Sequence, residues 1–282
     1  MLTNKYGLPE PLVSAFNNDP YEFGGDISTT AMIQPPRIRQ LRKRHRGQIT
    51  EDVSELVYAL IGNNTHHILE RVTTPNCIKE ERYYATVFHW KVGGKIDLLE
   101  LGSMVLSDYK VTSVWSVING LKPEHEQQAN INAFLLMENG LTPKKLQIVN
   151  FLRDWSKHKA HEENYPSCQV HVQPVPMWSY LEARAFVENR VMLHQENETV
   201  EDNHLPVCTP EERWERPTKY AVMKKNRKSA VRLLDTEETA KKYMGEKELD
   251  KNHYIEVRQG ENVRCNSYCN VNKFCSFFNT PF

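Results

Sequence analysis

The residues most able to do chemistry lie in the stretch 83–111, YYATVFHWKVGGKIDLLELGSMVLSDYKV, which holds Asp97, Asp108 and Lys110. Gly93-Gly94 and Gly102-Ser103 are turn signals. They cut the stretch into three short runs rich in β-branched and aromatic residues, which predicts an antiparallel meander. A two-residue second hairpin pairs Leu101 with Met104 and sets Asp97 directly opposite Asp108, with Cβ atoms about 5 Å apart. Two carboxylates at that separation repel. Lys110, two residues beyond Asp108, shares its face. Salt bridges to the lysine are one resolution. A hard divalent cation between the acids is the other, and oxygen ligands favour Mg²⁺ or Mn²⁺. Such an ion polarises a phosphoryl oxygen and lowers the pKa of bound water. Lys110 is then placed to orient that water or to stabilise phosphoryl charge. On the same ladder Lys95 falls opposite Lys110, as a phosphate contact. Trp90 pairs with Asp97 from the other side, as core or as a platform for a base.

These residues need elements to hold them. A helix is predicted over residues 50–72, with Thr50 as N-cap, Glu51 and Asp52 in the first turn, and Val53, Leu56, Val57, Leu60, Ile61, Ile68 and Leu69 at helical spacing. It carries His66, a nitrogen ligand if the helix packs on the meander. Gly62 one turn earlier implies close approach of another backbone. A second helix is predicted over 124–139, with Gln127 and Gln128 in its polar half and Gly140 closing it. Strands over 146–152 and 170–177 and a helix over 180–197 complete a mixed α/β core.

The remainder divides by texture. Residues 1–35 read as a polar arm, and RIRQLRKRHR at 37–46 is a basic run, either a solvated helix face or a contact to a polyanion. Beyond residue 206, segments 219–225 and 229–234 flank a basic tip as a hairpin. A short helix over 236–244 and a strand over 253–257 follow. The expected organisation is an arm at 1–47, a core at 48–205, a small basic α+β appendage at 206–260 and a cysteine tail at 261–282.

Composition narrows the classes. Lys+Arg and Asp+Glu balance at 36 each, so no global field draws the chain to nucleic acid and any such binding uses local patches. Six cysteines are too few for a disulfide scaffold in a chain this long. Three of them, Cys265, Cys269 and Cys275, crowd the tail with the character of metal ligands in a reducing compartment. The start MLTNKYGLPEPLV has no charged segment followed by an apolar one, and no apolar run approaches 18 residues. The expectation is a soluble intracellular protein without a membrane span.

Gly94-x-x-Asp97, Asp108-Tyr109-Lys110, Gly62-x-x-x-His66 and Gln128, in this order, resemble the PD-(D/E)XK nuclease superfamily. The likeness is to its RecB-type exonuclease branch, which includes the CRISPR-associated iron–sulfur exonucleases, and looks most like stand-alone bacteriophage members. It covers residues 48–140 and the cysteine tail. The resemblance implies a restriction-endonuclease-like core, a mixed central sheet flanked by helices. It implies His66, Asp97, Asp108 and the Tyr109 carbonyl as ligands of Mg²⁺ or Mn²⁺, Lys110 as the catalytic lysine, and Gln128 assisting the site or touching DNA. A glutamate before the meander often joins the set, and either Glu80 or Glu81 fits. The implied activity is metal-dependent hydrolysis of DNA phosphodiesters, as an exonuclease on DNA with a single-stranded stretch or free end, in an assembly of one copy or several.

The same branch carries a [4Fe-4S] cluster on one upstream cysteine and three in the tail. This chain departs from it twice: three residues separate the first two tail cysteines instead of two, and no cysteine precedes the His66 helix. Cys208 is the candidate fourth ligand, with Cys77 and Cys168 behind it. Zn²⁺ on the same thiols is the alternative. The run 37–46 and the tip 224–228 are candidate DNA contacts. A nuclease-fold adaptor without turnover, or a zinc-stapled interaction protein, are the competing functional classes.

Overall fold

The structure is a computed structural model that describes residues 1–17 and 23–280, so part of the segment 1–35 and the last two residues of the tail lie outside the described residues. The chain forms two compact units, Met1–Arg39 with Gly47–Val200, and Gln40–Arg46 with Glu201–Phe282.

In the first unit the elements that matter are β1 (Ile27–Ser28), α1 (Thr29–Ile33), α2 (Val57–Glu70), β2 (Cys77–Val87), β3 (Trp90–Glu100), β4 (Val105–Thr112), α3 (Pro123–Glu138), β5 (Lys145–Leu152), β6 (Val170–Val175) and α4 (Tyr180–Glu196). It is a mixed α/β structure whose central mixed sheet is flanked by helices. β3 is the hub of the sheet. One edge pairs antiparallel with β2, while β1 (parallel, at Val92 and Gly93) and β4 (antiparallel, at residues 98–100) share the other edge. β4 runs parallel to β5 with α3 as the crossover, and β5 pairs antiparallel with β6.

The sheet needs a deep apolar partner, and α3 is that partner. Residues 129–136 of α3 are all buried, so the helix packs on every side there and has no amphipathic stripe to read. Ile131, Phe134 and Leu135 join Ile27, Met32, Val92, Val187 and Val191 in one cluster. Ala129, Ala133 and Leu136 join Ile96, Leu99, Leu106, Leu146 and Ile148 in the other. Each buried Leu, Ile or Phe contributes about 1.5–3 kcal/mol of transfer free energy. The buried Asn130 is satisfied: its Nδ2 donates to the Glu126 and Pro176 carbonyls at 3.0 and 2.9 Å, and its Oδ1 accepts from the Trp178 N–H at 2.8 Å.

Several expectations change. Gly93 and Gly94 make no turn; they lie inside β3, opposite Tyr84 and Tyr83. The first hairpin instead turns at Phe88-His89, both at positive φ (46° and 69°), and side-chain-bearing residues in that conformation gave no sequence signal. Trp90 pairs with Val87, not Asp97, and lies under the Arg39 guanidinium at 5.1 Å. The second hairpin closes at Glu100–Val105, with a four-residue connection through Met104 at φ 55°, instead of a two-residue loop closed by Leu101 and Met104. The register is the expected one all the same. Thr50 does not cap the first helix. Asp52 accepts from the Ser54 N–H (3.1 Å) at a short 3₁₀ turn, and α2 begins only at Val57.

The arm and core are not separate either, since β1 is a strand of the central sheet and α1 packs against α3. Gly62 does not admit a neighbouring backbone. A Cβ there meets nothing within 4 Å. Gly62→Ala should therefore stabilise the protein by about 0.5–1 kcal/mol through helix propensity alone, read as a higher denaturation midpoint at unchanged slope.

The second unit contains β7 (Lys219–Lys224), β8 (Arg232–Leu234), α5 (Glu237–Glu246) and β9 (His253–Arg258), with the antiparallel order β8-β7-β9. Appendage and cysteine tail belong to this one unit and do not divide at residue 260. So does most of the basic run, which forms the helix Pro36–Arg44. That run is not an open cationic wall. Arg37 is buried, Arg42 donates to Asn270 Oδ1 at 3.2 Å, Arg44 and His45 meet the Asp202 carboxylate at 2.7 and 2.8 Å, and the His45 ring stacks on Phe274 at 4.2 Å. The tip 224–228 is exposed. Among the described residues no helix is long and apolar enough to cross a membrane.

Candidate metal centre

The pairings of β3 with its two neighbours explain where the acids meet. Between β2 and β3 the partner numbers keep one register on both sides of a gap, Glu81 with Ile96 and Lys79 with Leu98, so Glu80 falls opposite Asp97. Between β3 and β4 the pairs Leu98–Ser107, Leu99–Leu106 and Glu100–Val105 set Asp97 opposite Asp108. Glu80, Asp97 and Asp108 thus form one row across three strands, and both ladders lapse at that row. Glu80 takes φ 51°, uncommon for a residue with a side chain and a local departure from strand geometry. On the other side the Asp97 carboxylate replaces the missing ladder bond, its Oδ2 accepting the Tyr109 N–H at 2.7 Å. An extended residue points its N–H and C=O to the same side, so the Tyr109 carbonyl faces β3 as well.

His66 reaches the row from α2. Its Nδ1 lies 2.9 Å from Glu80 Oε1 and 3.6 Å from Asp97 Oδ1, and its ring meets Tyr109 edge-on at 5.9 Å. Lys95 Nζ lies 2.6 Å from Glu80 Oε2. Lys110 Nζ lies 2.8 Å from Asp108 Oδ2 and donates to Gln128 Oε1 of α3 at 3.2 Å. Every residue of the expected set, His66, Asp97, Asp108, Tyr109, Lys110 and Gln128, belongs to this neighbourhood. Glu80 takes the place left open between two glutamates; Glu81 instead accepts from the Tyr83 hydroxyl at 3.2 Å. Lys95 does not continue a ladder to Lys110. It pairs with Arg82 on β2 and spends its charge on Glu80.

The electrostatics single out Asp97. Burial, then the neighbouring Asp108 charge, push Asp97 up to about 7. The hydrogen bond to Glu80 holds His66 above its ordinary value. Burial works to raise Glu80, yet its bonds to His66 and Lys95 outweigh that and hold it low. Lys110 loses solvation, but the Asp108 carboxylate more than offsets the loss and its pKa rises. Asp108 Oδ2 is sealed from solvent, and the Lys110 ammonium at 2.8 Å is the cation that meets it. His66, Glu80 and Asp97 offer ligand atoms within 4.8 Å of one another, a spacing one ion can span. The donor set, one imidazole and hard carboxylate oxygens, fits Mg²⁺ or Mn²⁺.

One neighbour had no sequence signal. His125 lies one turn before Gln128 on α3, and burial together with the Lys110 charge push it down to about 4, so it stays a neutral imidazole beside the centre.

The thiols gather in the second unit. Burial, then the charges of Glu212, Cys265 and Cys275, push Cys208 up to about 12. Cys265 and Cys269 are raised first by burial, and Cys265 further by Cys269 and Cys275. Arg213 ties the segment together, bonding the Cys208 carbonyl and, at 3.0 Å, Asn262 Oδ1 at the start of the helix Val263–Ser267 that bears Cys265. Cys77 lies at the start of β2, and Cys168 is exposed with its Sγ on the Val170 carbonyl. Among the described residues no group of three cysteines reaches the spacing of the His66 set.

No protein-family model matches this chain, and no curated protein matches it. A solved structure, the crystal structure of SSO0001, is similar at 16% identity with a TM-score of 0.45, over 65% of this chain and 83% of that one. At that score and identity the likeness assigns the chain to no family.

Proposed function

We propose that this protein is a metal-dependent DNA nuclease of the PD-(D/E)XK kind, hydrolysing phosphodiester bonds as an exonuclease of the RecB-type branch. The observation that carries the reading is the row Glu80–Asp97–Asp108, laid across three strands with His66 and Lys110 on its flanks. The bases of the network go first to Glu80, which holds Lys95 and His66, and to Asp108, which holds Lys110; Asp97, raised to about 7 by burial, is the acid they serve least. Buried, mutually repelling carboxylates in one row are what a hard cation requires.

His66, Asp97, Asp108 and the Tyr109 carbonyl would hold the metal, with Glu80 as a further oxygen ligand or as the partner that orients His66. The bound ion supplies Lewis acidity to the phosphoryl oxygen and a lowered pKa to a coordinated water. Lys110, kept cationic by Asp108 and steadied by Gln128, offsets charge on the phosphoryl group as it develops. Gln128 fixes the lysine's direction. The test is incubation of end-labelled single- and double-stranded DNA with Mg²⁺, Mn²⁺ or EDTA. Cleavage in either metal that stops in EDTA is expected; intact DNA in all conditions, with binding retained, would make this a nuclease-fold adaptor.

In the same reading Cys208, Cys265, Cys269 and Cys275 hold a [4Fe-4S] cluster. The mutual influence of these thiols' charges supports a shared site, and Zn²⁺ on the same four is the alternative occupant. Burial keeps Cys208, Cys265 and Cys269 protonated, so loading releases protons and strengthens as pH rises. Cys208→Ser should remove most of the bound iron and the absorbance near roughly 400 nm. Cys77→Ser and Cys168→Ser should retain both, and equal iron in all three variants rules out Cys208 as the fourth ligand.

A further inference from the structure

Beyond the two basic segments singled out in the sequence, a third lies in the same unit as the metal centre. β4 and β5 are parallel, so the strand that carries Asp108 and Lys110 and its neighbour end together, at Thr112 and Leu152. Open sheets bind ligands beyond the carboxyl ends of such strands. Both connections that leave these ends carry the residue types that grip a single nucleic-acid strand. After β4, Trp115 opens a short helix and is 64% exposed, unusual for an indole. After β5, the connection 153–161 bears Arg153, Lys157, His158, Lys159 and His161, all exposed. The Arg153 N–H bonds the Thr112 carbonyl at 2.9 Å, which fastens the two connections together. Its guanidinium lies 3.9 Å from the ring of Tyr58, itself 59% exposed on the helix that also bears His66.

Between these connections is a cleft of about 330 Å³, lined by Val114, Trp115, Ile118, Lys159, Glu163 and Tyr165 among others. Its chemistry is divided. Aromatic and aliphatic walls suit a flat ring. Asp154, which accepts the Val114 N–H at 2.7 Å, and the carboxylates of Glu162 and Glu163 line it too; they suit an exocyclic amino donor and disfavour a phosphate in the cleft itself. Of the cations on this connection Lys159 lines the cleft, and Arg153, Lys157, His158 and His161 are exposed on the same segment, where a backbone would run.

Resting on the nuclease reading for the identity of the polymer, we infer that this cleft takes an unpaired base of single-stranded DNA. Trp115 stacks the base, and Arg153, Lys157 and Lys159 follow the phosphates toward Lys110. A paired base has no free ring face to offer the cleft, so the device selects single strands or frayed ends over blunt duplex.

The test measures binding in EDTA, where hydrolysis plays no part. An oligothymidine or mixed-sequence single strand and a blunt duplex of equal length are the probes. Trp115→Ala should lower the single-strand affinity about tenfold, within the range of one lost stacking contact, with a much smaller change on duplex, and Trp115→Phe should restore most of it. A doubly substituted Lys157→Glu, Lys159→Glu chain should lose about 1.4 from the slope of log affinity against log salt on single strands. An unchanged preference for single strand over duplex in Trp115→Ala, or equal losses on both, overturns the inference. A chain that binds single strands through Trp115 yet never cleaves them overturns the nuclease reading and leaves this one standing.

Discussion

Asp97→Asn should abolish metal-dependent cleavage and at the same time make the metal-free protein more stable. Asp97 is buried and faces Asp108, and its pKa stands near 7 against an ordinary value of 3.8. A group whose pKa is raised by folding contributes stability that is complete below its unfolded pKa and is lost as pH rises through the folded value. Above pH 7 the folded chain must therefore hold an unwanted charge, at a ceiling of about 4 kcal/mol for a shift of this size. The asparagine carries no charge, can still accept the Tyr109 N–H, and offers its amide to the neighbouring carboxylates. A gain of about 2 kcal/mol at pH 8 is expected, seen as a melting temperature about 5 °C higher, and it should shrink toward zero as pH falls to about 4.

Metal reverses the order. At a hundredfold excess over its dissociation constant a ligand adds about 2.7 kcal/mol to the chain that binds it. Mn²⁺ should raise the melting temperature of the wild type and leave the variant unmoved. Activity should fall by at least about 10²–10³-fold, the scale of losing one electrostatic stabiliser of the transition state. A variant that melts below the wild type in EDTA at pH 8 would mean that Asp97 is a structural ion-pair member and not a ligand held in reserve.

The site was legible in the sequence to the extent that its elements follow regular periods. The spacing of Asp97 and Asp108 about a turn was enough to place them opposite one another, because the strand period is fixed and one slip reverses every side chain. The wrong loop length did not matter, since closing the hairpin at Glu100–Val105 keeps the same pairing numbers. Glu80 was ambiguous for a different reason. Its register depends on the first hairpin, whose turn residues Phe88 and His89 hold positive φ without the glycine or asparagine that marks such turns. With that turn placed, Glu80 would have fallen opposite Asp97 and Glu81 would not. His125 and Trp115 had no signal at all, because a histidine on a helix and an aromatic in a loop gain meaning only from what the fold sets beside them. β1 was hidden in the same way: two residues of strand in a polar segment have no period to read.

Gly93-Gly94 was the clearest misreading, and its correction yields the second large effect. The pair reads as a turn because glycine weakens a strand interior, yet that same absence of a side chain permits close approach of another element. A Cβ at Gly94 would lie 2.4 Å from Asn132 Oδ1, 2.6 Å from Thr29 Oγ1 and 2.8 Å from Leu135 Cδ1. None of these is the loose end of a long side chain. Asn132 and Leu135 are buried on α3, and Thr29 Oγ1 is bonded to Asn132 Oδ1 at 3.1 Å. Gly94→Ala should therefore cost about 3 kcal/mol, the upper part of the overpacking range, and lower the melting temperature by about 6–12 °C. Activity should fall further than stability alone explains. Three residues along β3 lies Asp97, and α3, the helix that must move, carries Gln128 against Lys110. Relaxing the clash separates the strand from the helix that together bring the carboxylate row to the lysine. Thr29→Ala with Gly94→Ala should recover part of both losses, since it removes the hydroxyl that the new methyl meets. Full stability and activity in Gly94→Ala alone would show that α3 does not seat directly on β3, and that the row is positioned by its ladders without the helix.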